Sequence, residues 1–355
     1  MKNTKLIGVI GHFAFGLNMT DGQTVKTVTV TKALEDCFGD DEVLKSDTHG
    51  GAKFFFKLPF TVINMLKKAN NILIFPAQRG LRMIVPMLVF FNRFYHRRLH
   101  YCVIGGWLPE LLKTHGRLEK QLHSFFGLYV ETSFVRDSLI KKGFKNVWLI
   151  PNCKQLKIVS EKELKFFDKP PYKLCTFSRV LKEKGIEDAV KAVSAVNSRS
   201  GKTVFTLDIY GQVDESQKDW FENLKNSFPP YICYRGVVPY DKSSEVLNGY
   251  YALLFPTRFY TEGVPGTIID AYAAGVPVIS SNWQSCAEIV EDGVTGYVYP
   301  FKDEHELEKT LEKVLRQSGS IIEMKKNCIK KAENYLPENA LSELFEQIEN
   351  RYVEH

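Results

Sequence analysis

The chain has 355 residues, of which 44% are hydrophobic and 25% are charged, and its formal net charge is +6. This composition excludes a disordered, collagen-like or low-complexity protein. At about 100–200 residues per domain, the length predicts roughly two domains, each large enough to fold without disulfide or metal support.

No apolar run reaches the ~18–20 residues that are needed to cross a bilayer. The longest candidate, LRMIVPMLVFF (81–91), contains Arg82 and Pro86 within about half that length. The apolar run at the N-terminus is broken by Gly8 and Gly11 and lacks the small-residue cleavage site of a secretory signal. We therefore expect this run to be a first strand and the protein to be cytoplasmic.

The cysteines and histidines are scattered along the chain. The seven cysteines form no CxxC pair, and the eight histidines form no HExxH motif. The sequence therefore predicts reduced thiols, with neither a disulfide framework nor a catalytic metal site.

Short apolar runs rich in Val, Ile, Leu and Phe alternate with segments of helical period along the whole chain. In the first half, the predicted strands are 5–11, 71–76, 99–106, 127–132 and 147–152. In the second half, the predicted strands are 173–178, 205–211, 231–236, 251–256, 277–281 and 296–300. This alternation is typical of parallel βα units and predicts an α/β protein with two doubly wound, Rossmann-like domains.

The boundary between the two domains is expected in a polar stretch that follows Pro151 and ends near Pro170. A final helix carries an apolar stripe at helical spacing and is expected to pack near that linker. The predicted divisions are an N-terminal domain at 1–152, a linker at 153–172, a C-terminal domain at 173–336 and a C-terminal helix at 337–355.

Positive charge is concentrated in the first half. Residues 1–150 carry a net charge of +10, and residues 151–355 carry −4. In segments 53–68 and 90–101 the cations alternate with aromatic and aliphatic residues, which favours contact with an anionic membrane surface. The alternative is an amphipathic core helix with a solvated basic face. Nucleic acid is not expected as a partner, because the pI of about 8.7 is low for such binders and no recognised motif is present.

Ligand-binding residues are expected in the loops that follow the predicted strands, because ligands of open α/β sheets bind at the carboxyl ends of the strands. In segment 255–281, free backbone N–H groups of Gly266 and Thr267 are predicted at the start of a helix and favour a phosphate. Glu262 and Asp270 could accept hydrogen bonds from sugar hydroxyls on either side of it. The alternative is that Asp270 complements the helix dipole in the first turn and that Glu262 is solvated.

A second loop follows the predicted strand 173–178 and contains Arg179 and Lys184. Two cations at a strand end can neutralise a diphosphate leaving group, Arg through a bidentate fork and Lys as a point charge. The alternative is a solvated basic loop. The presence of the acidic loop in the same domain favours the binding site.

The N-terminal loop, within 11–30, contains Gly16 and Gly22 and leads into a helix that is expected to be capped by Thr20 or Asp21. It could present backbone N–H groups to a phosphate. It does not match GxGxxG in the expected place, so it gives little support to a dinucleotide site.

Trp107 follows Gly105 and Gly106 at the end of the third predicted strand. It could stack on an acceptor sugar ring, and the alternative is a half-buried core Trp.

Three runs in the second half carry a resemblance to a known family. They are FSRVLKEKGIEDAVKAV (177–193), LDIYG (207–211) and the run from TEGVPGTIIDAYAAGVPVISS to HELEKTL (261–311). In this order the runs resemble the C-terminal half of the family 4 glycosyltransferases over roughly 172–315. The resemblance implies the GT-B architecture, in which two Rossmann-like domains face each other across a cleft.

The resemblance also implies retaining transfer of a sugar from a nucleotide-sugar to a hydroxyl group. Arg179 and Lys184 would hold the diphosphate, Glu262 would hold the hydroxyls of the donor sugar, and Asp270 would hold the ribose. Asp270 stands where the family usually has a Glu, which is one methylene longer. No catalytic His is assigned, because Gly105 and Gly106 occupy the corresponding neighbourhood. The residues expected to contact the donor through backbone or close packing are Gly16, Gly22, Gly211, Gly263, Gly266 and Thr267.

No DxD motif occurs, so protein cations rather than a bound metal are expected to neutralise the diphosphate, and no cofactor is expected. The expected donor is a UDP-sugar. The expected acceptor is a lipid-linked glycan at the inner face of the cell membrane, as in the synthesis of capsule or another surface polysaccharide. Two alternatives are a nucleotide-sugar epimerase of the same architecture and a non-catalytic scaffold that binds carbohydrate or membrane.

Overall fold

The computed structural model describes residues 5–16, 22–50, 52–239, 242–317, 319 and 321–349. The chain divides into two compact units. The first unit is Met1–Gln155 together with Tyr335–His355, and the second is Leu156–Asn334.

The first unit is built on a six-stranded parallel sheet with the order β2-β1-β3-β4-β5-β6. Its strands are β1 (Lys5–Gly11), β2 (Val43–Asp47), β3 (Ala69–Ile74), β4 (Arg98–Cys102), β5 (Gly127–Val130) and β6 (Val147–Leu149). Five of them overlap the predicted strands. The exception, β2, was not predicted, because only Val43 and Leu44 of its five residues are apolar and it pairs on one side alone, with β1.

Helices cover both faces of this sheet, as buried parallel strands require. Hydrophobic residues of five helices form a cluster on one face, and those of three helices form a cluster on the other. The first group is α2 (Ala52–Lys68), α3 (Gln78–Tyr95), α4 (Leu108–Thr114), α5 (Gly116–Leu122) and α6 (Ser133–Lys141). The second group is α1 (Gly22–Phe38), α14 (Pro337–Ala340) and α15 (Ser342–Glu349).

The second unit repeats this plan with the strand order β12-β11-β10-β7-β8-β9, and the pairings are again parallel. Its strands, which overlap the six predicted ones, are β7 (Tyr172–Phe177), β8 (Phe205–Tyr210), β9 (Ile232–Gly236), β10 (Ala252–Phe255), β11 (Val278–Ser281) and β12 (Gly296–Tyr299). Its helices are α7 (Ile186–Arg199), α8 (Lys218–Asn226), α9 (Ser243–Leu247), α10 (Gly266–Ala273), α11 (Cys286–Ile289), α12 (Glu304–Arg316) and α13 (Ile321–Ala332). The predicted fold class, with two doubly wound α/β units, is confirmed.

Most of the segment predicted as a linker, 153–172, is part of the second unit. The backbone N–H of Val159 donates to the carbonyl of Ala273 at 2.9 Å, and Leu164 is buried with 6% of its surface exposed. These contacts could not be predicted from the polar composition of the segment, because a few apolar residues are enough to hold an extended segment on a domain surface.

The C-terminal segment is not a separate element. Its helix was predicted to be continuous from Pro337, but it is divided at Leu341 into α14 and α15. Leu341, Leu344 and Ile348 are buried in the cluster that also contains Val30 of α1 and Cys153. The segment therefore completes one face of the first sheet. Residues 350–355 of the predicted helix lie outside the described residues.

Within the described part of the chain, no helix combines the length and apolar character needed to cross a bilayer.

Lys325 of α13 is fully buried in the second unit. Its Nζ donates to the carbonyl oxygens of Tyr250 and Gly275, both at 3.2 Å. Burial lowers the pKa of Lys325 from 10.5 to about 8, because the ammonium loses its hydration.

The buried Lys325 makes stability depend on pH. Because its folded pKa lies below its unfolded pKa, the unfolded chain binds more protons between pH 8 and 10.5, and unfolding free energy rises with pH in that window. Lys325→Met removes this contribution. We expect the difference in unfolding free energy, wild type minus variant, to rise by up to roughly 3 kcal/mol across the window, at about 1.4 kcal/mol per pKa unit. Urea unfolding of both proteins at several pH values measures it, and parallel curves would contradict the prediction.

Candidate functional site in the second unit

The site lies where the strand order of the second sheet reverses. The chain proceeds from β7 to β8 and β9 on one side, and then crosses to β10 on the other side of β7. The loops that follow β7 and β10 therefore meet at the carboxyl edge, which is the place where open α/β sheets bind ligands.

The two loops are in close contact at Gly185. Its φ of 69° lies in the left-handed region, and a Cβ there would overlap the carbonyl oxygen of Pro256. A second contact is made by the backbone N–H of Arg258, which donates to the carbonyl of Glu183 at 2.8 Å. Gly185 also directly precedes the first residue of α7.

Lys184 and Glu262, which come from different loops, form an ion pair between Nζ and Oε1. Each side chain is only 15% exposed. Thr257 Oγ1 donates to the same Glu262 oxygen at 2.9 Å. The rings of Phe255 and Phe259 lie 5.5 and 5.2 Å from Lys184 Nζ, so cation–π attraction also positions the ammonium.

The ion pair leaves binding capacity on both partners. An ammonium has three donors, and Glu262 Oε2 accepts no hydrogen bond from any described residue. Sequence reasoning assigned Lys184 to a diphosphate and Glu262 to a sugar as separate contacts. The structure brings the two into one group, which can bind an anion and a hydroxyl side by side.

Arg258 holds the loop after β10 in place and was missed by sequence reasoning. Its Nε and Nη2 donate to the two carboxylate oxygens of Asp188 at 2.7 Å, and Nη2 also reaches Glu304 Oε1 at 2.5 Å. The hydrogen bond with Asp188 raises the pKa of Arg258 above its ordinary value, so the guanidinium stays charged. The sequence contains no signal for this pair, because the burial of Asp188 in the first turn of α7, which makes a cationic partner necessary, is seen only in the structure.

Arg179 takes a more exposed position than Lys184. Its side chain is 61% exposed, and its ion pair with Asp214 is long, at 4.0 Å. It follows β7 beside Gly211, where a Cβ would overlap the carbonyl oxygen of Ser178. Gly211 therefore allows the loops after β7 and β8 to approach, and Arg179 stays available to a ligand.

Helix α10 begins at Gly266, with Pro265 at its N-cap, so Gly266 and Thr267 have the predicted place at the helix N-terminus. Thr267 Oγ1 is buried and has no hydrogen-bond partner among the described residues. Gly263, in the loop before the helix, is buried as well. A buried hydroxyl without a partner beside free N–H groups is suited to an acceptor from outside the chain.

Asp270 is not in the first turn of α10, contrary to the sequence reading. It is the fifth residue of the helix, and its exposed fraction is 5%. This position corrects the alternative that Asp270 complements the helix dipole, because that effect is confined to the first turn.

The other predicted site residues belong to the first unit. Gly16 has a φ of 79° in the exposed loop after β1, and Gly22 is the first residue of α1. The predicted capping residues Thr20 and Asp21 lie outside the described residues. Trp107 is the N-cap residue of α4 and packs half-buried on the hydrophobic cluster of α2–α6.

Among the described residues, no three His, Cys, Asp or Glu side chains cluster in a way that could hold a metal ion.

Residues 159–335 match the family model of Glycosyl transferases group 1. The matched segment, about half of the chain, coincides almost completely with the second unit. Through this unit, the chain belongs to the group 1 glycosyltransferases. The resemblance seen in the sequence is thereby confirmed.

Two curated relatives of this glycosyltransferase have names that assign them to polysaccharide biosynthesis. Amylovoran biosynthesis glycosyltransferase AmsK of Erwinia amylovora is 22% identical over 156 residues, which are 43% of this chain and 38% of AmsK. Capsular polysaccharide biosynthesis glycosyltransferase CapM of Staphylococcus aureus is 24% identical over 179 residues, which are 49% of this chain and 45% of CapM. The matches thus span less than half of each relative's length.

Among solved structures, HepE of Anabaena in complex with UDP and glucose has a TM-score of 0.74. The alignment covers 97% of this chain and 99% of HepE at 14% identity. This likeness shows the fold, which is GT-B.

The contact at Gly185 has a matched control in Gly201. Both glycines have a left-handed φ, 69° and 62°, but a Cβ at Gly201 would meet nothing within 4 Å. We expect Gly201→Ala to cost about 1 kcal/mol of unfolding free energy, the strain of the left-handed region. Gly185→Ala adds overlap with Pro256, so we expect a loss larger by about 1–3 kcal/mol. Urea unfolding compares the two, and equal losses would argue against the contact.

Proposed function

We propose that this glycosyltransferase moves a sugar from a nucleotide-sugar, with UDP as the expected nucleotide, to a hydroxyl group of a lipid-linked glycan, with retention of anomeric configuration. The observation that carries the donor part is the Lys184–Glu262 pair at the strand-order reversal. The names of AmsK and CapM, and the UDP and glucose bound to HepE, support a nucleotide-sugar donor and a role in polysaccharide synthesis.

The chemistry requires stabilisation of negative charge on the leaving group. When the bond between the anomeric carbon and the diphosphate oxygen breaks, the sugar becomes oxocarbenium-like and the nucleotide diphosphate gains charge. Lys184, Arg179 and the N–H groups of Gly266 and Thr267 stabilise that charge in the transition state. In this proposal, the free oxygen of Glu262 orients a hydroxyl of the donor sugar, and Asp270 holds the ribose.

Retention follows if the acceptor approaches on the face from which the diphosphate leaves. The departing phosphate oxygen then takes the proton of the acceptor hydroxyl. The backbone of Gly211 and Gly263 allows close approach of the donor. In the first unit, we propose donor contacts at Gly16 and Gly22 and an acceptor sugar at Trp107.

The acceptor and the location are proposed from the charge distribution. The net charge of +10 within residues 1–150 suits a glycan carried on an anionic lipid at the cytoplasmic face of the membrane. The product would be part of a capsule or another surface polysaccharide.

The donor-site assignment predicts the kinetics of three variants. Lys184→Met, Glu262→Gln and Arg179→Ala are each expected to lower kcat/KM by about 100-fold or more, because each removes charge or orientation at the leaving group. The matched control is Arg199→Ala. Arg199, at the far end of α7, pairs with Glu308 and Glu312 and is 50% exposed, so near-normal turnover is expected.

Turnover is measured as nucleotide release from UDP-, GDP- and dTDP-sugars, with and without a detergent-extracted lipid-glycan fraction. Thermal melting confirms that each variant is folded. Acceptor-dependent release supports the transferase, and NMR of the product reports the anomeric configuration. Conversion of donor without acceptor would indicate the epimerase, and binding without release would indicate the scaffold. Normal turnover of folded Lys184→Met or Glu262→Gln would overturn the site.

We further propose that protein cations replace a divalent metal in this reaction. Turnover after exhaustive treatment with EDTA is then expected to stay within about twofold of the untreated rate, since Lys184 and Arg179 supply the charge that a metal would otherwise provide. Loss of turnover that Mg²⁺ or Mn²⁺ restores would contradict this part alone.

A further inference from the structure

Four phenylalanine side chains stand exposed on one face of the first unit. Helices α2 and α3 pack against each other there and contribute to the same hydrophobic cluster. Phe56 and Phe60 of α2 are 84% and 76% exposed, and Phe90 and Phe94 of α3 are 53% and 72% exposed. Solitary exposed apolar residues are ordinary, but four rings on two packed helices indicate an interaction surface.

The rings lie opposite the buried stripes of their helices. On α2, Leu58 and Val62 face the core, and Phe56 and Phe60 fall on the other side of the helix at the same spacing of four residues. The alternative predicted from the sequence, an amphipathic core helix with a solvated basic face, therefore describes the buried stripe of α2 correctly. It does not account for the outward rings.

The charged residues on the two helices that carry the rings have one sign. Between Asp47 and Glu110 the sequence contains nine Lys and Arg residues and no Asp or Glu. Helices α2 and α3 thus contain cations but no acids. Exposed aromatic rings among unopposed cations suit a surface that is both anionic and apolar.

A basic groove lies between α3 and α5, next to the part of α3 that carries Phe90 and Phe94. Its volume is about 550 Å³, and Val89 and Leu99 contribute apolar lining. Arg93, Arg117 and Lys120 also line it, and none of these three forms an ion pair with a described residue. The groove therefore presents three cations that lack a partner within the described chain.

Arg93 connects the groove to the rings. It lies four residues after Val89 and three after Phe90, so on the helix surface it stands between the groove and the pair Phe90–Phe94. The rings of that pair are 6.4 Å apart. An anion bound by Arg93 would lie beside apolar groups that contact the rings.

The groove is remote from the edge of the sheet at which transfer is expected. Leu99 is the second residue of β4, so the groove lies at the amino edge of the first sheet. Gly16 and Trp107, in contrast, follow β1 and β4 at the carboxyl edge. The groove therefore does not coincide with the proposed acceptor position.

We propose that the groove binds the phosphodiester headgroup of an anionic phospholipid, while Phe90 and Phe94 enter the interface of the same bilayer. Arg93, Arg117 and Lys120 are the headgroup ligands, and the outer rings of α2 extend the membrane contact. A bilayer is favoured over an acidic protein or nucleic acid because it alone supplies phosphates and hydrocarbon at adjacent depths.

The proposal shares a membrane location with the proposed function, but its test measures lipid binding rather than sugar transfer. The intact protein is sedimented with vesicles of phosphatidylcholine alone or mixed with phosphatidylglycerol. The groove variant combines Arg93→Ala, Arg117→Ala and Lys120→Ala, and the ring variant combines Phe90→Ser and Phe94→Ser. The control combines Lys165→Ala, Lys169→Ala and Lys202→Ala, which removes the same charge from exposed positions of the second unit.

Wild type is expected to bind the anionic vesicles. The groove variant should bind on the order of 100-fold more weakly, because each cation near the surface contributes separately. The ring variant should bind roughly 10-fold more weakly, and the control within about threefold of wild type. Thermal melting of all variants shows that the exposed substitutions leave the fold intact.

Three results would overturn the proposal. The first is absence of wild-type binding to the anionic vesicles. The second is equal loss in the groove variant and the control, which would mean that overall charge alone attracts the lipid. The third is binding of soluble glycerol phosphate or DNA that matches vesicle binding and is indifferent to the ring variant, since that would assign the groove to a free anion or a nucleic acid. If vesicle binding holds while wild type transfers no sugar, the proposed function fails and this inference stands.

Discussion

The arrangement of the charged loops in the second unit depends on a largely buried ammonium–carboxylate pair, which joins the loops that follow the neighbouring strands β7 and β10. Neither Lys184 nor Glu262 could be that deeply enclosed alone, because an unpaired charge in such a place is costly. The pair therefore fixes the loop after β7 to the loop after β10. Gly185 brings the two backbones together without a Cβ, and Arg258 ties the second loop to α7 and α12.

The geometry of the Lys184–Glu262 pair also explains why hydrogen-bonding groups remain at the site for a ligand. The pair occupies one oxygen of Glu262 and one donor of Lys184, so the rest of each group remains for a ligand. Thr267 adds a buried hydroxyl at the helix start, and this hydroxyl has no hydrogen-bond partner in the part of the chain that the structure describes. A protein that only needed stability would satisfy such groups internally. Their common location at the carboxyl edge of the sheet makes the group a candidate site.

The two units carry different surfaces on one architecture. The second unit contains the family match and the charged loops, and it has the more acidic composition. The first unit carries the acid-free stretch between Asp47 and Glu110 with its exposed rings, and it also contains the basic groove between α3 and α5. Parallel sheets covered on both faces leave the loops and the outer helix faces free to differ, so one fold supports both kinds of surface.

The sequence by itself determined eleven of the twelve strands, because buried parallel strands are short, continuous apolar runs. It also identified the charged loops that follow β7 and β10. It could not determine β2, whose composition is mixed, or the docking of 156–171 and of α14 and α15, because those segments pack through a few apolar residues whose partners are distant in the chain. Only the tertiary structure decided that Lys184 pairs with Glu262 and Arg258 with Asp188. Seventy or more residues separate the partners in each case, and only the crossing of the chain from β9 to β10 makes them neighbours.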